Sequence, residues 1–406
     1  MESKVFTDGG KYAVQSLRQA LAELLSVMRV DPSEPQEIAR RFGLDKTLTW
    51  RISRVVREEN AWESVPHIPR RPSMQAFLRT MAKHGAPDPT VELVRTALDG
   101  FEEFIRTHTG DRETLEAMLG PTATRSGAKR METFRKQAVQ ANSAIFGVRA
   151  RTQFAARFAY PGAADGELMT AVLIGLVDFR RLRPEVRWGV ATVEEWGMPG
   201  GRSQPKDLVI SAMDPAARGK LPLLAEFCSK PLAMLKTADL PGGRKRLDIA
   251  EGPVGNTAAA TVVLGWKWNE SVSCYESFPG EYGEHGLHMS TPVEVAIFDL
   301  FVHKSLVFAH NLEPRLVNEL PHGFRAAHGD SATHVLPSPE QVIDLSGEGT
   351  PDLTTVEVPR YREMIETACG SIGIPLSEFK VFRYRIKYPP IPTLALLRHP
   401  LLPRPE

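Results

Sequence analysis

The spacing of apolar residues changes near residue 147, and this change constrains the fold more than any other feature of the sequence. Before it, apolar side chains recur every three or four residues, as in residues 11–30, which is the spacing of one face of an α-helix. After it, apolar and polar residues tend to alternate, as in residues 148–160, which is the spacing of a half-buried strand. The sequence therefore predicts a multidomain chain: an all-α N-terminal region, then an α+β domain with a mostly antiparallel sheet.

The individual segments give an order of elements. Helices are predicted for residues 11–30, 37–42, 46–60, 73–85, 90–110, 111–120 and 129–146, with one late helix in residues 359–373. Strands are predicted for residues 148–160, 186–195, 257–268, 292–303 and 379–388. A proline-rich link at residues 65–72 interrupts the helical part. Three domains are therefore predicted, at residues 1–62, 63–147 and 148–406.

The composition is that of an ordinary globular protein and restricts the cellular setting. The chain has 406 residues, 42% of them hydrophobic, and 50 Lys+Arg against 49 Asp+Glu, which excludes wholesale disorder and an overall charge that would attract a polyanion. Three widely spaced cysteines form neither a disulfide framework nor a metal motif and favour a reducing cytoplasm. The longest clean apolar run, residues 168–177, is about half of the ~20 residues that a membrane span requires, and no secretion signal is evident.

Residues 35–56 hold two short helical patterns separated by Gly43, Leu44 and Asp45. Glycine permits a sharp turn between helices, and the small Ala39 suits a close helix crossing. Asp45 is placed to cap the second helix by accepting from its free N–H groups. The apolar contacts expected to hold the two helices together come from Ile38, Phe42, Leu44, Leu48 and Ile52.

In these features residues 35–56 resemble the helix-turn-helix motif of bacterial transcriptional regulators, most closely the IclR and MarR types. The whole-chain layout is otherwise similar only to uncharacterised bacterial proteins with an N-terminal helix-turn-helix. The resemblance implies that the second helix enters the major groove of DNA. The positions expected on its outward face are Lys46, Thr47, Trp50, Arg51, Ser53 and Arg54. The predicted DNA contacts are Lys46, Thr47, Trp50, Arg51 and Arg54, whose hydrogen-bonding and cationic groups suit phosphates and base edges.

The nearly balanced charge around residues 35–56 leaves open an alternative to DNA binding. Residues 1–60 contain 10 Lys+Arg and 9 Asp+Glu, so they are not basic overall. The alternative is a packing module that binds another protein or a second copy of the chain. A second basic stretch, residues 121–160, has eight Lys or Arg against the single acid Glu132. It could complete a DNA footprint, but a solvated helix face with acidic neighbours is the preferred interpretation.

The signals for catalysis or metal binding are weak. Seven of the eleven histidines lie between His285 and His334, but His285 and His288 stand in what is expected to be a surface loop, which fixes no ligand geometry. The second dense piece contains His328, Asp330 and His334. No metal, cofactor or catalytic residue is predicted, and the chain is not expected to be an enzyme. Cys274 is predicted to be a buried structural cysteine. Aromatic residues such as Trp266 and Trp268 are predicted to be sheet packing rather than the lining of a ligand pocket.

The leading hypothesis is a cytoplasmic bacterial DNA-binding regulator. Its partners would be double-stranded DNA and a small-molecule effector, and its C-terminal domain would sense that ligand or hold a dimer together. A homo-oligomer is expected because one small reading helix gives little affinity, whereas two linked half-sites reinforce each other. The alternatives are a non-enzymatic interaction scaffold and a metal-dependent enzyme carried on the C-terminal domain.

Overall fold

The computed structural model describes residues 2–119, 125–193, 210–217, 221–239, 245–318, 335–347 and 349–405. The chain forms two compact units, Met1–Met131 and Glu132–Glu406, here called unit 1 and unit 2. Helix gives way to strand at Gly147, where the sequence predicts the change. None of the described helices combines the length and apolar character that a membrane span needs.

The described residues before Gly147 hold eight α-helices and one short 3-10 helix, Val65–His67. The α-helices are α1 (Glu2–Val27), α2 (Pro35–Phe42), α3 (Lys46–Arg57), α4 (Ala61–Ser64), α5 (Arg71–Lys83), α6 (Asp88–His108), α7 (Arg112–Leu119) and α8 (Arg125–Phe146). The predicted helical region is therefore confirmed. α1 begins well before the predicted start at residue 11.

One apolar core organises unit 1. The apolar stripe that the sequence predicts on α1 is fully buried and consists of Val14, Leu17, Leu21, Leu24 and Leu25. The same core continues through α2, α3, α5 and α6 to Leu115 and Leu119 of α7. The domain boundary predicted after residue 62 lies inside this core, since Ala61, Val65 and Ile68 all belong to it.

The residues after Gly147 are dominated by strands. The first are β1 (Val148–Pro161), β2 (Glu167–Arg181), β3 (Trp188–Val193), β4 (Ile210–Ala212), β5 (Leu235–Asp239), β6 (Lys245–Ile249), β7 (Ala260–Trp268) and β8 (Val272–Ser273). They are followed by β9 (Tyr282–Met289), β10 (Val293–His303), β11 (Glu313–Asn318), β12 (Val335–Leu336), β13 (Val342–Asp344), helix α9 (Tyr361–Ile372), β14 (Phe379–Lys387) and β15 (Thr393–Pro400). The predicted late helix is confirmed as α9, which ends at Gly373.

The strands form three sheets. The largest has the order β13-β14-β10-β1-β2-β7-β4, with β8 also paired to β2. Within it β1 and β10 are parallel, while the other described strand pairs are antiparallel. A four-stranded sheet has the order β12-β11-β15-β9, and a three-stranded sheet the order β3-β6-β5. The apolar run of residues 168–177 is the middle of β2, an interior strand of the largest sheet.

Alternate residues of β1 face opposite sides of the largest sheet. Phe154, Ala156 and Phe158 belong to a core formed with α9. Ala155 and Ala159 belong to a second core, formed with residues of the four-stranded sheet. The strand is therefore covered on both faces, which explains why its alternation of apolar and polar residues is incomplete.

Five of the fifteen described strands were predicted, and ten were not: β2, β4, β5, β6, β8, β9, β11, β12, β13 and β15. The stretch around His285 and His288, expected to be a loop, is strand β9, and β15 was not predicted at all. Positions 283 and 286 of β9 are glycine because their neighbours on β15 leave no room for a side chain. A Cβ at Gly286 would lie 2.8 Å from Leu394 Cδ1, and one at Gly283 would lie 2.5 Å from His399 Cε1.

Candidate nucleic-acid interface

α2 and α3 are joined by a turn whose geometry requires glycine. Gly43 has φ +63° and ψ +34°, in the left-handed region, and its N–H donates to the carbonyl oxygen of Ala39. No atom lies within 4 Å of the place that a Cβ at Gly43 would occupy. The glycine is therefore needed for its backbone conformation and not for space.

Asp45 begins α3 as the sequence predicts. Its Oδ1 accepts a hydrogen bond of 2.9 Å from the N–H of Leu48, and its backbone is extended. This satisfies one of the free N–H groups in the first turn of α3. The capping role predicted for Asp45 is confirmed.

α3 has one buried face and one exposed face. The buried side chains are Thr49, Ile52, Ser53 and Val55, with Leu48 partly buried beside them. All five side chains predicted to contact DNA are exposed: Lys46, Thr47, Trp50, Arg51 and Arg54. The structure therefore brings these five together on the outer side of a single helix.

Ser53 was expected on the outward face, and this expectation is wrong. Only 3% of Ser53 is exposed, and its buried Oγ has no hydrogen-bond partner among the described residues. The reason is the helical period, because Ser53 lies four residues after the buried Thr49 and therefore on the same face. Thr49 itself satisfies its hydroxyl by donating to the carbonyl oxygen of Lys46 over 3.1 Å.

The exposed face carries both paired and unpaired cations. Arg54 forms an ion pair of 2.9 Å with Glu58, one turn further along. Arg51 has no ion-pair partner among the described residues of the chain. Trp50 is 46% exposed, and its ring meets that of His67 edge-on with 5.3 Å between the centroids.

The electrostatic setting of His67 shows that cations converge beside α3. The pKa of this half-buried imidazole lies below its ordinary value, first because of burial and then because of the positive charges of Arg54, Arg130 and Arg51. Arg130 belongs to α8, and no sequence pattern places it near α3. Its proximity to His67 adds a third cation to the two predicted ones.

A second group of cations extends this positive region. The pKa of Arg112 at the start of α7 is lowered mainly by burial, and the nearby charges of Arg70 and Arg51 lower it further, against the opposite effect of Glu116. Arg112 also donates to the carbonyl oxygen of Val65. Arg70 and Arg112 were missed by the sequence analysis because they are distant from α3 along the chain.

The basic side chains described within residues 127–160 do not all lie on one solvated helix face, contrary to the preferred interpretation of the stretch 121–160. Arg135 is 5% exposed and forms an ion pair of 2.6 Å with Glu340. Arg151 forms an ion pair with Asp178, with 3.5 Å between Nη1 and Oδ2. These cations are distributed among several partners because the stretch crosses from α8 into β1.

The structure places His285, in the histidine-rich part of the chain, in a buried strand and not in the surface loop that was expected. His285 is 7% exposed on β9, while His288 on the same strand is exposed. The described residues hold no group of three His, Cys, Asp or Glu side chains suited to a metal ion. His328 and His334 lie outside the described residues. Cys274 is free and buried, as predicted, and burial raises the pKa of its thiol.

Comparison with known proteins leaves the function to be argued from these observations. No protein-family model matches the chain, and no curated protein matches it. Among solved structures, a Parabacteroides distasonis protein described as a proposed protease aligns with 62% of this chain at 11% sequence identity and a TM-score of 0.23. This chain spans about 40% of that structure. A likeness this low carries no argument about fold or activity.

Proposed function

We propose that the chain is a DNA-binding transcriptional regulator that reads duplex DNA with α3. The observation that carries the proposal is the outer side of α3, where five hydrogen-bonding or cationic side chains stand exposed while the opposite side is buried. In this proposal α2, Gly43 and α3 form a helix-turn-helix. Unit 2 would sense a small molecule or hold a dimer together, and the protein would act in the cytoplasm as a homo-oligomer.

The dimensions of α3 suit this role. A helix of 12 residues is about 18 Å long, and the major groove, about 12 Å wide, admits an α-helix. Lys46 and Thr47 lie in its first turn, the part of a recognition helix that contacts base edges. Arg51 and Arg54 are three residues apart and therefore share a face of the helix.

The ion pair between Arg54 and Glu58 must adapt when DNA binds. A phosphate or guanine acceptor would replace the Glu58 carboxylate, which lies just past the C-terminal end of α3 and would otherwise repel the DNA. Arg51 needs no such exchange because it has no ion-pair partner among the described residues. We therefore expect Arg51 to be the stronger contact of the two.

The positive region around His67 supplies the long-range attraction. The positive charges of Arg51, Arg54 and Arg130 all lower the pKa of His67. Those of Arg51 and Arg70 both lower the pKa of Arg112. Cations collected from three helices and the segment before α5 can neutralise several phosphates, even though residues 1–60 are nearly neutral in sum.

A salt titration tests the proposal directly. We expect the full chain to bind random-sequence duplex DNA with an affinity that falls linearly on a logarithmic plot as salt rises, because each neutralised phosphate releases counterions. A genomic fragment that contains a specific site should bind more tightly at the same salt concentration. Absence of salt-dependent binding to both kinds of duplex would refute the proposal.

One observation favours a second candidate function, a protein-interaction module. Trp50 is 46% exposed, and tryptophan is enriched among the residues that dominate protein–protein interfaces. In that case α3 would bind a second copy of the chain or another protein through Trp50. Sedimentation would then show self-association lost in Trp50→Ala, while duplex DNA would leave the sedimentation coefficient unchanged.

A further inference from the structure

A cavity in unit 2 has an arginine in its wall at the centre of the largest sheet. Arg157 lies on β1, opposite Val172 of β2 and Leu300 of β10. It stands between Ala155 and Ala159, whose side chains face the four-stranded sheet. Because side chains alternate along a strand, Arg157 faces the same way, between two small neighbours that leave space around it.

The guanidinium of Arg157 has no carboxylate partner among the described residues. Its Nε donates to the carbonyl oxygen of Gly286 over 2.8 Å, and its Cζ lies 5.7 Å from the ring centroid of Trp268. Burial without a neighbouring anion lowers the pKa of Arg157 to about 10, so it stays charged at neutral pH. The chain thus holds a half-buried cation in the cavity wall and leaves its terminal nitrogens without an anionic acceptor.

Two adjacent histidines form the wall next to Arg157. The rings of His285 on β9 and His399 on β15 are 5.7 Å apart and inclined by 31°. The pKa of His285 is held well below its ordinary value by burial, by His399 and by the charge of Arg157, and burial lowers that of His399. Both imidazoles are therefore neutral at pH 7. The Nδ1–H of His399 can donate to the carbonyl oxygen of Pro400, 3.0 Å away, which makes its Nε2 an acceptor.

The remaining lining is a mixture of apolar and polar groups around a volume of about 420 Å³. This size lies within the range of small-molecule pockets, about 300–1,000 Å³. Leu168, Val272 and Leu401 contribute apolar surface, and Glu270 and Glu284 are the two acids of the wall. The two acids would repel a ligand that carries several anionic groups, so a ligand with one anionic group fits best.

We propose that this cavity binds a small organic anion whose carboxylate or phosphate group pairs with the guanidinium of Arg157. Trp268 and the apolar side chains would contact the organic part, and His285 and His399 would hydrogen-bond to its polar atoms. A bidentate pair with arginine suits both kinds of anionic group. The site lies wholly within unit 2, and the proposal does not depend on DNA binding by unit 1.

The test is calorimetric titration of the full chain with three probes: benzoate, phenyl phosphate and the uncharged benzamide. We expect saturable one-to-one binding of at least one of the two anions and no binding of benzamide. Binding of benzoate would indicate a carboxylate ligand, and binding of phenyl phosphate a phosphate ligand. Arg157→Met should weaken binding by about 10- to 100-fold, since a hydrogen-bonded charge pair is lost.

Two further variants keep the outcome interpretable. Arg362→Met removes an exposed arginine of α9 and should bind as the parent does. Ser271 lines the cavity but lies outside the strands, so Ser271→Trp should fill the cavity with a large ring and abolish binding. This variant tests the site even if Arg157→Met fails to fold. Failure of both anions to bind the parent, or undiminished binding by Ser271→Trp, would overturn the proposal.

Discussion

Arg383 and Asp299 form a two-pronged ion pair in the interior of unit 2. They lie directly opposite each other on β14 and β10, with 2.8 Å between Arg383 Nε and Asp299 Oδ1 and 2.7 Å between Nη2 and Oδ2. The hydroxyl of Tyr361 on α9 donates to the same Oδ2 over 2.7 Å. This carboxylate therefore links α9 to two strands of the largest sheet.

Removal of the carboxylate should strongly destabilise the fold. Asp299→Ala leaves the Arg383 charge buried without its partner, and such a loss typically costs about 3–5 kcal/mol. Urea unfolding of the full chain should show this as a lower midpoint for the transition of unit 2. Glu366→Ala is the matched control, because its pair with Arg362 is more than half exposed on both sides and is worth about 0.5 kcal/mol or less. Equal losses in the two variants would contradict the assignment.

The inward position of Ser53 gives a prediction of the opposite sign. Ser53→Ala removes a buried hydroxyl that has no hydrogen-bond partner among the described residues and adds helix propensity. We expect stability to rise by about 1 kcal/mol, with DNA affinity unchanged. A destabilised variant would show that the Ser53 hydroxyl has a hydrogen-bond partner, and weakened DNA binding would show that Ser53 points outward.

The effect of a substitution at Gly43 should depend only on how readily the new residue adopts the left-handed backbone conformation, because the space at its Cβ is open. Gly43→Val forces a β-branched residue into the left-handed region, where an L-residue typically loses about 1–2 kcal/mol. Gly43→Asn should lose less, because asparagine enters this region more readily. Gly100→Ala, in the interior of α6 with open space at its Cβ, should instead gain up to about 1 kcal/mol. Thermal unfolding that ranks these three variants differently would contradict the account of the turn.

The two adjacent histidines of the cavity wall, His285 and His399, predict how stability depends on pH. Because the folded chain holds the pKa values of His285 and His399 below the ordinary 6.5, the unfolded chain binds more protons as the pH falls below that value. Their contribution to stability is therefore complete above about pH 6.5 and is lost as the pH falls through the folded-state values. His399→Gln should reduce the dependence of the unfolding free energy on pH between 7.5 and 5. An unchanged slope would show that the ring of His399 is not buried in solution.

The sequence predicted the helical part well because its signals are local. The apolar stripe of α1, the turn at Gly43 and the cap at Asp45 each lie within a few neighbouring residues, so spacing alone identifies them. Ser53 could also have been placed correctly from its distance to Thr49. The cations of Arg70, Arg112 and Arg130, by contrast, reach α3 only through tertiary packing.

The sheet region was predicted less completely because close packing can imitate a loop signal. The stretch around His285 and His288 was expected to be a loop, although it is a strand whose glycines are required by the close approach of β15. The cavity combines Arg157, Trp268, His285 and His399 from four strands that are far apart in the sequence. No spacing rule connects such residues, so Trp268 was assigned to sheet packing.

The most direct test of DNA binding by α3 compares two charge-matched double variants. Arg51→Ala/Arg54→Ala removes two exposed cations of α3, and Arg95→Ala/Arg106→Ala removes two exposed cations of α6. Neither pair belongs to the apolar core of unit 1, so both variants should fold.

Duplex binding measured over a range of salt concentrations separates the outcomes. We predict that the α3 variant loses about one unit of salt slope for each lost phosphate contact, or about 1–3 kcal/mol for each lost base contact, while the α6 variant binds as the parent does. Binding of the α3 variant that equals the parent at every salt concentration would contradict the account.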